Sequence, residues 1–150
     1  MQAWFAPDGR HVAYWAQTSD GWDLTVAGPD LEAARVVGTS ADCCGPRPVW
    51  SPDGRAIAYP SGVQAGINVW LARTDGEAPR QLTQGAGFAG PWQWHPHGGR
   101  LVYFRSEAGG VAARFLDIAT GASDVLPGTE RGDLRIGWWS PDGTHIAYTV

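Results

Sequence analysis

Apolar and polar positions alternate along short stretches of this chain, and four of those stretches open alike. FAPDGRHVAY begins at Phe5, WSPDGRAIAY at Trp50, WHPHGGRLVY at Trp94 and WSPDGTHIAY at Trp139. Each has an aromatic, then a proline two residues on, then glycine, then an apolar alternation ending in tyrosine. A period of two is the mark of a β-strand with one face inward. The proline pre-sets the second position of a tight turn, aspartate tolerates the third, and glycine takes a left-handed fourth, so each stretch predicts a hairpin. A third strand follows in each repeat at 23–27, 68–72 and 113–118, and a fourth at 34–38, 80–84 and 123–127. The segment 30–36, DLEAARV, is too short for a helix and reads as a turn entering a strand.

The opening aromatics lie 45, 44 and 45 residues apart. Four antiparallel strands in about 45 residues make a small sheet that cannot bury both faces alone and must stack on its neighbours, which points to a β-propeller. The expected fold is all-β, one partial propeller domain over residues 1–150, with three complete four-stranded blades and a half blade. Propellers close with about four to eight blades, so the ring is incomplete. The expectation is a piece of a longer polypeptide, or chains that self-associate to complete a ring.

Composition narrows the partners. The 150 residues carry a net charge of −4, which argues against a nucleic-acid partner. All eleven basic residues are arginine, which excludes lysine Schiff-base chemistry and a Walker-type phosphate loop in this chain. No apolar run approaches the roughly 18 residues of a membrane span. Residue 2 onward is patterned like the interior of the fold rather than like a secretory signal.

The series WSPDGRAIAY, NVWL and RQLT over residues 50–83 resembles the TolB-like propeller repeat, a WD-like repeat. That family includes the periplasmic Tol-Pal system protein and the propeller domains of prolyl-oligopeptidase-type serine peptidases. The resemblance runs through the whole chain. In the third repeat His97 replaces the turn aspartate and Gly99 the usual polar residue. It implies a periplasmic or secreted setting and a module that binds proteins.

Candidate chemistry is sparse. Asp8, Asp53 and Asp142 hold one repeat position and are expected to serve their turns. All four histidines, His11, His95, His97 and His145, also cluster there. His95 and His97 alone fall short of a metal's ligand count, so no metal or cofactor is expected. Cys43 and Cys44 are adjacent in a loop and read as two ordinary thiols, leaving redox compartment open. Trp50, Trp94 and Trp139 share a repeat position and should wedge between sheets. There is no G-x-S-x-G elbow, so no catalytic residue is assigned and the chain is not expected to be an enzyme.

Binding surfaces lie on loops held by rigid sheets. The loops before each aromatic strand, and those between second and third strands, supply Trp22, Asp42, Arg47, Phe88, Trp92, Arg131, Asp133 and Arg135. Arginines and aromatics together suit a protein or peptide partner, and the tryptophans also suit a carbohydrate. The expected function is therefore a non-catalytic protein- or peptide-binding scaffold. The alternative is the substrate-gating propeller of a larger prolyl-oligopeptidase-type serine hydrolase, its catalytic domain elsewhere in the polypeptide.

Overall fold

A computed structural model describes residues 3–41, 47–63, 66–108, 110–129 and 135–149. The strands form small antiparallel sheets in chain order. Blade 1 is β1 (Ala3–Phe5), β2 (Val12–Thr18), β3 (Gly21–Ala27) and β4 (Arg35–Ser40). Blade 2 is β5 (Val49–Trp50), β6 (Ala56–Val63), β7 (Gly66–Arg73) and β8 (Arg80–Gln81). Blade 3 is β9 (Gly87–Trp94), β10 (Arg100–Glu107), β11 (Gly110–Asp117) and β12 (Ser123–Val125). Two strands of a fourth, β13 (Arg135–Trp139) and β14 (Ile146–Thr149), pair with each other. The outer strands β8 and β12 are shorter than the sequence pattern suggests. One parallel ladder, Gly66↔Gly87 and Ile67↔Phe88, joins blade 2 to the innermost strand of blade 3.

The hairpin turns behave as their residues require. In the second, Gly54 N–H donates to Ser51 O at 2.9 Å, and Gly54 sits at φ 68°. Gly9, Gly98 and Gly143 repeat this at φ 67°, 73° and 71°. A β-branched residue resists that region, so Gly54→Val is expected to lower stability by more than about 1 kcal/mol in urea melts.

The core is divided between blades rather than gathered inside one sheet. Ala13, Leu24, Val26 and Val37 of blade 1 pack with Trp50, Ile57, Tyr59 and Ala72 of blade 2. Ala58, Val69 and Leu71, on the other face of blade 2, pack with Ala89, Trp94, Leu101, Tyr103 and Leu116 of blade 3. Neighbouring residues Ile57 and Ala58 are both fully buried, yet each serves a different interface. Period-two alternation with both faces apolar is what a stacked blade needs.

The shared tryptophan stitches successive blades. Trp50 Nε1–H donates to Trp4 O at 2.9 Å, and Trp94 Nε1–H donates to Val49 O at 2.9 Å. In both cases the acceptor is the residue before the corresponding aromatic of the preceding blade. The pattern stops at Trp139, whose Nε1 is buried with no hydrogen-bond partner among the described residues. Its strand pairs irregularly between Ile136 and Trp139, and the ring lies edge-on to His95 with centroids 4.7 Å apart.

Candidate functional site

The two ends of the blades differ in chemistry. At one end lie the four hairpin turns, whose polar groups are engaged with each other. Asp8, Asp53 and Asp142 each accept a backbone N–H two residues on, from Arg10, Arg55 and Thr144 at 2.9, 3.0 and 3.0 Å. Ser51 Oγ and Ser140 Oγ donate to Asp53 and Asp142 at 2.6 and 2.5 Å. These bonds favour the ionised carboxylate. The Ser140 hydroxyl first, then Thr144, holds Asp142 down to about 2. The Ser51 hydroxyl, then the Arg55 N–H, holds Asp53 below the ordinary carboxylate range.

A carboxyl depressed in the folded state stabilises the fold above its unfolded value, and that contribution is lost as pH falls through the folded value. The urea midpoint should therefore drop between a pH of about 4 and about 2. Asp53→Asn combined with Asp142→Asn should make that drop shallower.

In the third turn histidines do the work of serine and aspartate. His97 N–H donates to His95 Nδ1 at 3.2 Å, which leaves the His95 Nε2–H to reach Gly143 O at 3.0 Å. His97 Nε2 lies 3.0 Å from Asp142 O. The two imidazoles thus clasp the turn of the fourth repeat, and His95 is half-buried rather than solvated. Among the described residues no group of three His, Cys, Asp or Glu is placed to hold a metal ion.

At the other end lie the loops singled out as a docking face. Trp22 is the second residue of β3 and Phe88 the second of β9, both half-buried. Arg47 is exposed just before β5, and Arg135 begins β13. Trp92 is placed differently: it lies well inside β9, toward the turn end, with its ring edge-on to Phe104 at 5.2 Å and its Nε1 buried with no hydrogen-bond partner among the described residues. Asp42, Arg131 and Asp133 fall outside the described residues, as do Cys43 and Cys44. Topology brings Trp22, Arg47, Phe88 and the start of β13 to one end of the blades, and among the described residues no ring contact or hydrogen bond joins the side chains of Trp22, Arg47 and Phe88.

A repeated arginine was not singled out by sequence reasoning. Arg35 Nη1 donates to Asp75 O of the next blade at 3.2 Å, and Arg80 Nη2 donates to Ile118 O at 2.8 Å. The signal was present as the same 45-residue spacing at the start of the fourth strand.

Several solved structures share this arrangement. TolB from Acinetobacter baumannii superposes with a TM-score of 0.74 at 16% identity, over 99% of this chain and 37% of that one. A putative TolB from Agrobacterium tumefaciens gives 0.66 at 21% identity, over 100% of this chain and 60% of that one. The β-propeller domain of the Trilobed protease from Pyrococcus furiosus gives 0.61 at 14% identity, over 84% of this chain and 42% of that one. No protein-family model matches the chain, and no curated protein sequence does either. The chain is thus a partial β-propeller whose ring is not closed, spanning 37% and 60% of the two TolB chains.

Proposed function

We propose that this partial propeller is a non-catalytic binding module, and that it docks a protein or peptide at the loop end of its blades. The observation that supports this is the contrast between the two ends. The recurring aspartates and serines at the turn end are engaged in turn hydrogen bonds, whereas Trp22, Arg47 and Phe88 at the loop end make no side-chain hydrogen bond among the described residues. Arginine and aromatic side chains on a rigid frame are the residue types that dominate protein interfaces. The test is selection of peptides from a displayed library on the immobilised chain. Trp22→Ala with Arg47→Ala should weaken the selected peptides at least about tenfold, a loss of about 1.4 kcal/mol. Peptides that ignore this pair and respond instead to Asp53→Ala would place binding at the turns and reject the reading.

A second reading is favoured by the likeness to the propeller domain of a protease: the chain is the gating portion of a larger serine hydrolase. A G-x-S-x-G strand–turn–helix segment in the same reading frame would support it, and a reading frame holding only further 45-residue repeats would reject it. Self-association to complete a ring is a further proposal for this surface. Phe5 holds the repeat position of Trp50 but is 65% exposed, and among the described residues no blade packs over it. Light scattering that gives a discrete oligomer would support it, and a monomer would reject it.

A further inference from the structure

The two complete blade interfaces are built from the same repeat, yet they are filled differently toward the outer strands. Between blades 1 and 2, Tyr59 is fully buried beside Gly38, and Trp70, which pairs with it across β6 and β7, packs on the same cluster. Ser61, two residues on, reaches Thr39 O of the preceding blade at 2.6 Å. Between blades 2 and 3 the corresponding residues are Tyr103, Arg114 and Arg105, with Tyr103 pairing Arg114 as Tyr59 pairs Trp70. Blade 2 presents Thr83 where blade 1 has Gly38. Tyr103 is also buried in the cluster between the blades, but its hydroxyl meets Ser123 Oγ of its own blade at 2.9 Å. Beside Tyr103 and Arg114, the counterparts of Tyr59 and Trp70, this interface holds an open cleft of about 480 Å³.

The cleft has a definite chemistry. Arg105 and Arg114 both line it, with Thr83 and Gln84 on the opposing blade and Leu82 and Leu116 as apolar walls. Arg105 Nη2 donates to Gln84 O at 2.7 Å, which fixes the guanidinium across the interface. Arg114 Nε donates to Glu107 Oε1 at 2.8 Å, and its side chain is 23% exposed. Among the described residues no acidic side chain lines the cleft. Two guanidiniums against the one carboxylate of Glu107 leave a single positive charge, held on planar forks that match a carboxylate in two-point geometry.

We propose that this cleft is a peptide-binding subsite that takes one carboxylate between Arg105 and Arg114, with an adjoining apolar side chain against Leu82 and Leu116. A lone excess charge matches a carboxylate better than a doubly charged phosphate. The carboxylate comes from an acidic side chain or from a peptide C-terminus. The subsite lies between blades 2 and 3, with Gln84 in the loop before β9 and Arg105 opposite Ala89, one residue from Phe88, so it is the part of the loop end that this interface forms and it rests on the docking reading above.

The test is a titration of the 150-residue chain, watching the Nε–H resonances of Arg105 and Arg114 by NMR. Acetyl-Leu-Glu amide presents a side-chain carboxylate and acetyl-Leu-Ala with a free terminus presents the other source. Acetyl-Leu-Gln amide and its phosphoserine counterpart are the comparisons. At least one carboxylate peptide should shift both resonances in a saturable way, and the glutamine peptide should bind at least about tenfold more weakly. Arg105→Ser with Arg114→Trp, which installs the residues of blade 2, should abolish those shifts while the amide spectrum stays dispersed. Single Arg105→Gln and Arg114→Gln variants give the same readout should the double variant fail to fold. The proposal is overturned by no saturable shift at about 10 mM peptide, by glutamine or phosphoserine peptides binding as well as the carboxylate, or by shifts confined to residues near Trp22 and Arg47, which would leave the docking reading standing without this subsite.

Discussion

Trp50→Ala is expected to lower the unfolding free energy by about 3–5 kcal/mol, read from urea midpoints followed by circular dichroism. The ring is only 8% exposed and lies among Ala6, Ala13, Leu24 and Val26 of one blade and Ile57 of the next. Removing it forfeits the transfer of a large apolar surface and leaves a cavity that two rigid sheets cannot close. The loss is a large share of the 5–15 kcal/mol on which an ordinary domain rests. Trp50→Phe separates the contributions. It keeps most of the apolar ring but drops the donor to Trp4 O, so a smaller loss of about 1 kcal/mol is expected. Trp138 is the control: it is 60% exposed, and its replacement by alanine should change stability by no more than about 0.5 kcal/mol. Equal small effects at Trp50 and Trp138 would mean that the shared aromatic does not wedge the blades.

The fold was legible because every element needed to build a blade is local. A proline, an aspartate and a glycine in fixed order dictate the hairpin, and the 44–45-residue spacing dictates the stacking. The wedge of Trp50 and Trp94 followed from the repeat, although not the carbonyls their Nε1 atoms reach. What stayed hidden depends on pairs far apart in sequence. The Arg35 and Arg80 clasps needed the partner blade's carbonyl to be placed. The parallel ladder of Gly66 with Gly87 joins segments that would each pass for a loop end. Trp92 was assigned to a loop because a Gly- and Pro-rich stretch precedes it, yet GFAGPWQW is one continuous strand of eight residues. The candidate docking face was legible only as a position, since loop residues have no repeat to discipline them.

The position that decides how two blades meet is small enough to overlook, and Gly38→Thr should expose it. The change puts into blade 1 the residue that blade 2 carries as Thr83. A Cβ on Gly38 would lie 2.6 Å from both Cζ and the hydroxyl of Tyr59. Gly38 is not in the left-handed region, so backbone strain is not at issue and the cost is steric. Tyr59 is 1% exposed, and burial pushes its hydroxyl up to about 12, with the Thr39 backbone as its hydrogen-bond partner. A ring so enclosed has no solvent to swing into. Overpacking of this kind costs about 1–3 kcal/mol, again measured by urea unfolding. Tyr59→Leu shortens the side chain and should remove much of that penalty, so the double-mutant cycle should return a coupling above about 1 kcal/mol. A Gly38→Thr cost below about 0.5 kcal/mol, or additive single variants, would show that Tyr59 can shift to admit a side chain at position 38. In that event the difference between the two interfaces would lie in Trp70 and Arg114 rather than in the Tyr59 contact.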